Sequence, residues 1–205
     1  MKKILAVGAH PDDIELGCGG TIARHVDKGD DVYCVILTRG EHGATDVNRH
    51  KETLSALRVL GVPEDNILVH DFPDRELFKH LNGIITVLED TARRYAPQRV
   101  YTMFKGDRHQ DHRTTYEASA VAYRKVPQVL CYETPSAWPA FDPQIFINIG
   151  EFSGRKMDAL RCHESQMDRD YMKPETLEIA ARFHAQQIGL RDMCEAFMVH
   201  KMILD

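Results

Sequence analysis

A chain of 205 residues, 43% hydrophobic and 28% charged, carries enough apolar mass for one substantial core, which excludes the disordered and fibrous classes. Its net charge of −5 comes without any cluster of Lys and Arg, so the expected ligand is a small molecule and no nucleic acid. The five cysteines, Cys18, Cys34, Cys131, Cys162 and Cys194, are scattered and form no C-x-x-C pair, which argues against a disulfide framework or thiolate zinc site and for a reducing, cytoplasmic setting. Met1-Lys2-Lys3 leads into an apolar run too short for an export signal, and no later stretch could span a bilayer, so no membrane partner is expected.

In chain order, the run Ile4-Leu5-Ala6-Val7-Gly8 predicts a first strand over 3–8, followed at once by His10-Pro11-Asp12-Asp13 and a helix over 17–28. Gly17, Gly19 and Gly20 let helix and strand backbones approach closely, and Gly17-Cys18-Gly19-Gly20 reads either as a mere tight turn or as a ligand contact; they do not make a nucleotide fingerprint, because the G-x-G-x-x-G spacing is absent. Strands over 32–37, 66–70, 98–104, 128–133 and 144–149 alternate with helices over 49–60, 77–95, 112–125, 151–167 and 174–189. Short apolar runs alternating with longer amphipathic ones are the pattern of βα units around a mostly parallel sheet. The expected architecture is a Rossmann-like α/β fold in one domain over 1–205, since no repeat, linker or low-complexity run interrupts it. Pro135, Pro139 and Pro143 read as a loop inside that domain, and Ala196-Phe197-Met198-Val199 as an apolar tail packed on it.

Loops leaving the C-terminal ends of parallel strands converge on one edge of the sheet, where ligands bind. His10-Pro11-Asp12-Asp13 leaves the first strand there, and His109-Gln110-Asp111-His112 leaves the strand over 98–104. Two histidines and a carboxylate can hold Zn²⁺ with a position left open, and a spare carboxylate beside them can accept a proton from water. Adjacent Asp12 and Asp13 cannot easily play one role at a small ion, so one should bind metal and the other face the water. His109 and His112, three apart at a helix start, both reach the same site; one suffices as ligand, leaving the other to stabilise an oxyanion and Asp111 to orient an imidazole. These residues specify a metal-dependent hydrolase.

At these residues the sequence resembles the PIG-L / LmbE-like family of zinc-dependent N-deacetylases, and within it the bacterial enzymes similar to the bacillithiol-pathway deacetylase of N-acetylglucosaminyl malate. The likeness runs through Ala9-His10-Pro11-Asp12-Asp13 to Gly17, Gly20-Thr21-Ile22-Ala23, Arg49 with Glu52, Leu60-Gly61, Pro73-Asp74-Arg75, Lys105 to His112, Glu164-Ser165-Gln166, Gln187-Ile188-Gly189 and Glu195-Ala196-Phe197. It implies that His10, Asp13 and His112 bind Zn²⁺, that Asp12 is the general base, and that His109 stabilises the oxyanion with Asp111 behind it. It also implies that Arg49 and Asp74 contact sugar hydroxyls, although Arg49 with Glu52 also fits a plain helix-surface pair and Asp74 an ordinary turn residue. Fe²⁺ can occupy comparable N/O sites. Relatives that assemble as trimers or hexamers lead to the expectation of a homo-oligomer, with His184 and His200 as candidates to reach a neighbour's site.

The expected substrate is an N-acetylglucosamine conjugate such as N-acetylglucosaminyl malate. The same chemistry on a thiol conjugate, an antibiotic sugar or a chitooligosaccharide is the alternative. The segment Thr38-Arg39-Gly40-Glu41-His42-Gly43 departs from the bacillithiol form and leaves the aglycone open. The loop at Trp138 offers either an apolar wall beside the sugar or a buried anchor. From a different class, a non-catalytic Rossmann-like nucleotide-binding protein would need a glycine loop where His10-Pro11-Asp12-Asp13 stands.

Overall fold

The computed structural model describes residues 1–44 and 49–204. Its elements are β1 (Lys3–Gly8), α1 (Asp13–Asp27), β2 (Asp31–Ile36), α2 (Arg49–Val59), β3 (Ile67–Val69), α3 (Leu81–Tyr95), β4 (Arg99–Met103), α4 (Gln110–Ala122), β5 (Gln128–Tyr132), β6 (Ile145–Asn148), α5 (Ser153–Arg161), α6 (Pro174–Gln187) and β7 (Cys194–Met202). Short 3-10 turns precede α3 and flank α5.

The first strand is apolar without alternation because it lies inside the sheet with both faces covered: Ile4, Leu5, Ala6 and Val7 are all fully buried. The sheet has the order β3-β2-β1-β4-β5-β7-β6. Strands β1 to β5 pair in parallel, while β7 runs antiparallel to both β5 and β6. Helices α1 and α2 pack on α5, and α3 packs on α4. With right-handed crossovers these two groups cover opposite faces of the sheet. Strand order reverses between β1 and β4, which opens a crevice at their C-terminal ends.

The mostly parallel Rossmann-like α/β sheet is as expected, and the differences from the predicted elements are local. The segment expected as an apolar tail is part of a nine-residue strand, β7, inserted between β5 and β6. Helix α1 starts at Asp13 rather than Gly17 and kinks at Cys18, whose φ of −146° breaks the helical run. Glu195, on β7, accepts the backbone N–H groups of Gly20 (2.9 Å) and Thr21 (2.7 Å) freed by this kink. Lys156 Nζ then bridges Glu195 Oε1 and the Leu16 carbonyl, each at 2.7 Å. A Cβ on Gly17 would run into the Tyr132 ring, so this glycine serves close packing of helix on sheet. The helix expected over 151–167 is only α5, because the chain from Cys162 to Met172 breaks into short turns that cross the crevice. The run expected as one helix over 77–95 begins as a 3-10 turn at Leu77–His80. Among the described residues no helix is long and apolar enough to cross a membrane.

Candidate active site

The turn after β1 and the start of α4 meet at the crevice. Asp13, in the first turn of α1, stands between two imidazoles: its Oδ2 lies 3.4 Å from His10 Nδ1 and its Oδ1 3.3 Å from His112 Nε2. Asp13 thus presents one oxygen to each imidazole, and two imidazoles with a carboxylate between them are a donor set that a divalent cation such as Zn²⁺ accepts. All three side chains are buried. The far nitrogen of each imidazole is held by carboxylates: His112 Nδ1 by Asp107 at 2.9 Å, and His10 Nε2 by Asp111 and Asp74, both at 3.1 Å. Carboxylates there fix which ring nitrogen faces the ion and raise its basicity.

Two groups bring one donor from each residue within 4.8 Å of one another, His10 with His109 and His112, and His10 with Asp74 and Asp111. The second is already engaged, because the Asp111 carboxylate accepts the backbone N–H groups of Arg75 (2.6 Å) and Leu77 (3.1 Å), and Asp74 accepts that of His42 (3.0 Å). The first places His109 beside the same two imidazoles. Asp13, within 3.4 Å of His10 and His112, adds a carboxylate to those imidazoles, and both two-imidazole–carboxylate and three-imidazole sets hold catalytic Zn²⁺.

Charge among these groups follows from their neighbours. Burial would push Asp13 up, yet the charge of His112 and hydrogen bonds with both imidazoles hold it well below the usual carboxylate range. Burial would likewise lower His112, but Asp13 and Asp107 raise it to about 9. His10 is raised well above its ordinary value because hydrogen bonds to Asp111, Asp13 and Asp74 outweigh burial. Asp107 is held down to about 2, its burial outweighed by His112, Ser136 and Thr134.

Asp12 behaves differently from its neighbour. Burial pushes it up to about 6, with Arg49 opposing. Its backbone φ is +96°, a left-handed conformation that costs a side-chain-bearing residue about 1–3 kcal/mol. Arg49 holds that turn: Nη2 donates to the Pro11 carbonyl (2.6 Å) and to Asp12 Oδ2 (2.9 Å), and Nη1 to the Gly40 carbonyl (3.3 Å). The plain surface pair of Arg49 with Glu52 is therefore not what forms. Arg49 is 5% exposed, and Glu52 instead accepts the backbone N–H and hydroxyl of Ser165 at 2.8 and 2.7 Å.

His109 is the N-cap of α4, its Nδ1 accepting the backbone N–H of Asp111 at 3.2 Å. That bond leaves the ring hydrogen on Nε2. Burial, together with the neighbouring His10 and His112, lowers its basicity, so it is a neutral donor. The Asp111 side chain, expected behind His109, reaches His10 instead.

Over these groups lies a cavity of about 260 Å³ lined by His10, Asp12, Asp13, His109, His112, Arg49 and Asp74. Its upper wall comes from residues that carried no role in the sequence analysis: Ser136 after β5, and Arg169 and Tyr171, beside Gln166, from the turns after α5. Asp107 was equally missed, although its place five residues before His112 puts both on one loop-and-helix start. Trp138 is neither a buried anchor nor part of this wall; it is 52% exposed under the Arg108 guanidinium. His200 pairs with Tyr116 and His184 with Glu133, both in the same chain.

Residues 5–123 match the PIG-L family model, described as GlcNAc-PI de-N-acetylase, and the chain belongs to this family of deacetylases. It is 45% identical over 171 residues to the uncharacterized deacetylase YaiS of Escherichia coli strain K12, covering 80% of this chain and 91% of that protein. It is 29% identical over 197 residues to the diacetylchitobiose deacetylase of Thermococcus kodakarensis, covering 83% of this chain and 72% of that one. The conserved protein TT1542 from Thermus thermophilus superposes with a TM-score of 0.86 at 29% identity, covering 100% of this chain and 97% of that structure.

Proposed function

We propose that this protein is a zinc-dependent N-deacetylase that removes the acetyl group from an N-acetylglucosamine-type conjugate, with residues 1–205 acting as one catalytic domain. The observation that carries this reading is the meeting of His10, Asp13 and His112, with Asp13 within 3.4 Å of both imidazoles, beside the Asp12 carboxylate that lines the same cavity. The name of the Thermococcus kodakarensis relative supports an N-acetylated sugar. The malate conjugate, a chitooligosaccharide, an antibiotic sugar and a thiol conjugate all present the same acetamide or amide.

His10, Asp13 and His112 would hold the cation. Bound Zn²⁺ supplies Lewis acidity to the amide carbonyl and to water. Asp12, pushed up to about 6, is ionised at neutral pH yet basic enough to accept a proton from the attacking water and return it to the departing nitrogen. Arg49 fixes the Asp12 carboxylate in place through its guanidinium, and it lines the cavity besides. His109 Nε2–H donates to the carbonyl oxygen as charge develops there. Asp74 and Arg169, together with Gln166, present polar atoms to the sugar hydroxyls. Asp111 acts through His10, holding its ring for the cation.

The test is acetate release from a panel of N-acetylglucosaminides by purified protein and by Asp12→Asn. Release by the wild type, with the variant slowed about 10²–10⁴-fold, supports the reading. Equal rates for both would remove Asp12 from the chemistry, and no release from any member would remove the activity.

A further inference from the structure

A second cavity, of about 280 Å³, adjoins the first and shares Leu16, Thr134, Pro135 and Tyr171 with it. We propose that it receives the acyl half of the scissile amide, so that the enzyme accepts N-acyl amino sugars whose acyl chain is several carbons long and prefers them to acetyl. This rests on the deacetylase reading above and extends it to the group on the carbonyl side.

The two halves of the site differ in chemistry. The first cavity carries Arg49, Asp74, Arg75, Gln166 and Arg169, which suit the hydroxyls of a sugar. Leu16, Pro135 and Tyr171 line both cavities, and past them the second continues with Leu177, Ala180, Ala181 and Ala196. In an amide, nitrogen and acyl substituents leave the carbonyl carbon in different directions. With the amino sugar among the polar residues, an acyl chain that leaves the carbonyl toward the shared Leu16 and Tyr171 enters the second cavity.

Volume and charge agree with that occupant. An acetyl methyl is about as large as one water, ~30 Å³, so the second cavity holds several such groups. Its charged wall groups are already neutralised. Lys156 is spent on Glu195 and the Leu16 carbonyl, Glu195 also takes two backbone amides, and His184 pairs with Glu133 at 3.0 Å. Among the described residues of this wall no unpaired charge remains to call for an ionic ligand, and the alanines leave room for an apolar chain. Hydrolysis breaks the C–N bond and forms a C–O bond to the water oxygen. One water proton ends on the amine nitrogen, and the other is released to the amine or to solvent as the acid leaves as its carboxylate.

The experiment measures amine release from one glucosamine glycoside carrying N-acetyl, N-butanoyl or N-hexanoyl groups, with the wild-type enzyme and with Ala181→Phe. Each added methylene that enters the cavity is expected to raise kcat/KM about four-fold. Filling the cavity with Ala181→Phe is expected to pull the hexanoyl-to-acetyl ratio back toward one. Acetyl turnover without gain on lengthening overturns this proposal and leaves the deacetylase reading standing, whereas no turnover of any member defeats both. Acceleration by a longer alkyl aglycone, with none by a longer acyl chain, would assign the cavity to the other end of the substrate and also overturn it.

Discussion

At the residue scale, Asp12 and Asp13 are neighbours in sequence with opposite electrostatic fates. Asp13 sits between two imidazoles that favour its charge; Asp12 faces burial with Arg49 as the main compensation. Asp12→Asn should therefore keep its full metal content by elemental analysis while losing turnover, and His112→Ala should lose the metal. Stripping of metal by Asp12→Asn, with retention by Asp13→Asn, would reverse the two roles. Arg49 lowers the Asp12 pKa, so Arg49→Met should raise it, keeping the base protonated to higher pH. The acid limb of kcat/KM should move upward by about one pH unit. A limb that stays put while KM rises would make Arg49 a sugar contact alone. The two histidine-containing motifs were legible from residue type and spacing, because metal ligation and proton transfer each need few residue types. Spacing alone leaves each pair open; the family resemblance assigns its members. Asp107 escaped notice because a carboxylate behind an imidazole has no fixed spacing. Arg49 looks like a helix-surface residue beside Glu52, whereas its partner Asp12 lies 37 positions earlier.

At the scale of elements, the parallel strands were legible because a strand covered on both faces must be apolar throughout. Strand β7 was less so. It mixes Glu195, His200 and Lys201 with its apolar residues, and what makes it a strand is the gap between β5 and β6 that it fills. Glu195 is buried there because α1 kinks at Cys18 and exposes amides that need an acceptor. Glu195→Ala should leave Lys156 and those amides without their partner and lower unfolding free energy by about 3–5 kcal/mol, read by urea denaturation. A change below about 1 kcal/mol would mean that the kink does not depend on this carboxylate. The broken stretch after α5 looks helical in sequence, yet it is the tie of Ser165 to Glu52 that lays it over the crevice.

For the whole molecule, the fold's contribution is to bring the ends of β1 and β4 together across about a hundred residues of chain, so the proposed metal site exists only in the folded state. His112 is raised to about 9 and His10 well above its ordinary value, so in the metal-free protein both hold their protons more tightly than a free imidazole does. A cation must displace them. Affinity for Zn²⁺ should therefore climb as pH rises from 7 toward 9, by about one decade per pH unit for the His112 proton; calorimetry in buffers of different ionisation enthalpy reads the released protons. Binding without proton release would place the ion elsewhere. If the two loops act through one cation, activity must follow metal content. Chelator-stripped protein titrated with Zn²⁺, while acetate release from an N-acetylglucosaminide is followed, reads this dependence. Negligible release from the stripped protein and full recovery at one Zn²⁺ per chain are expected; undiminished release from metal-free protein would contradict a shared cation.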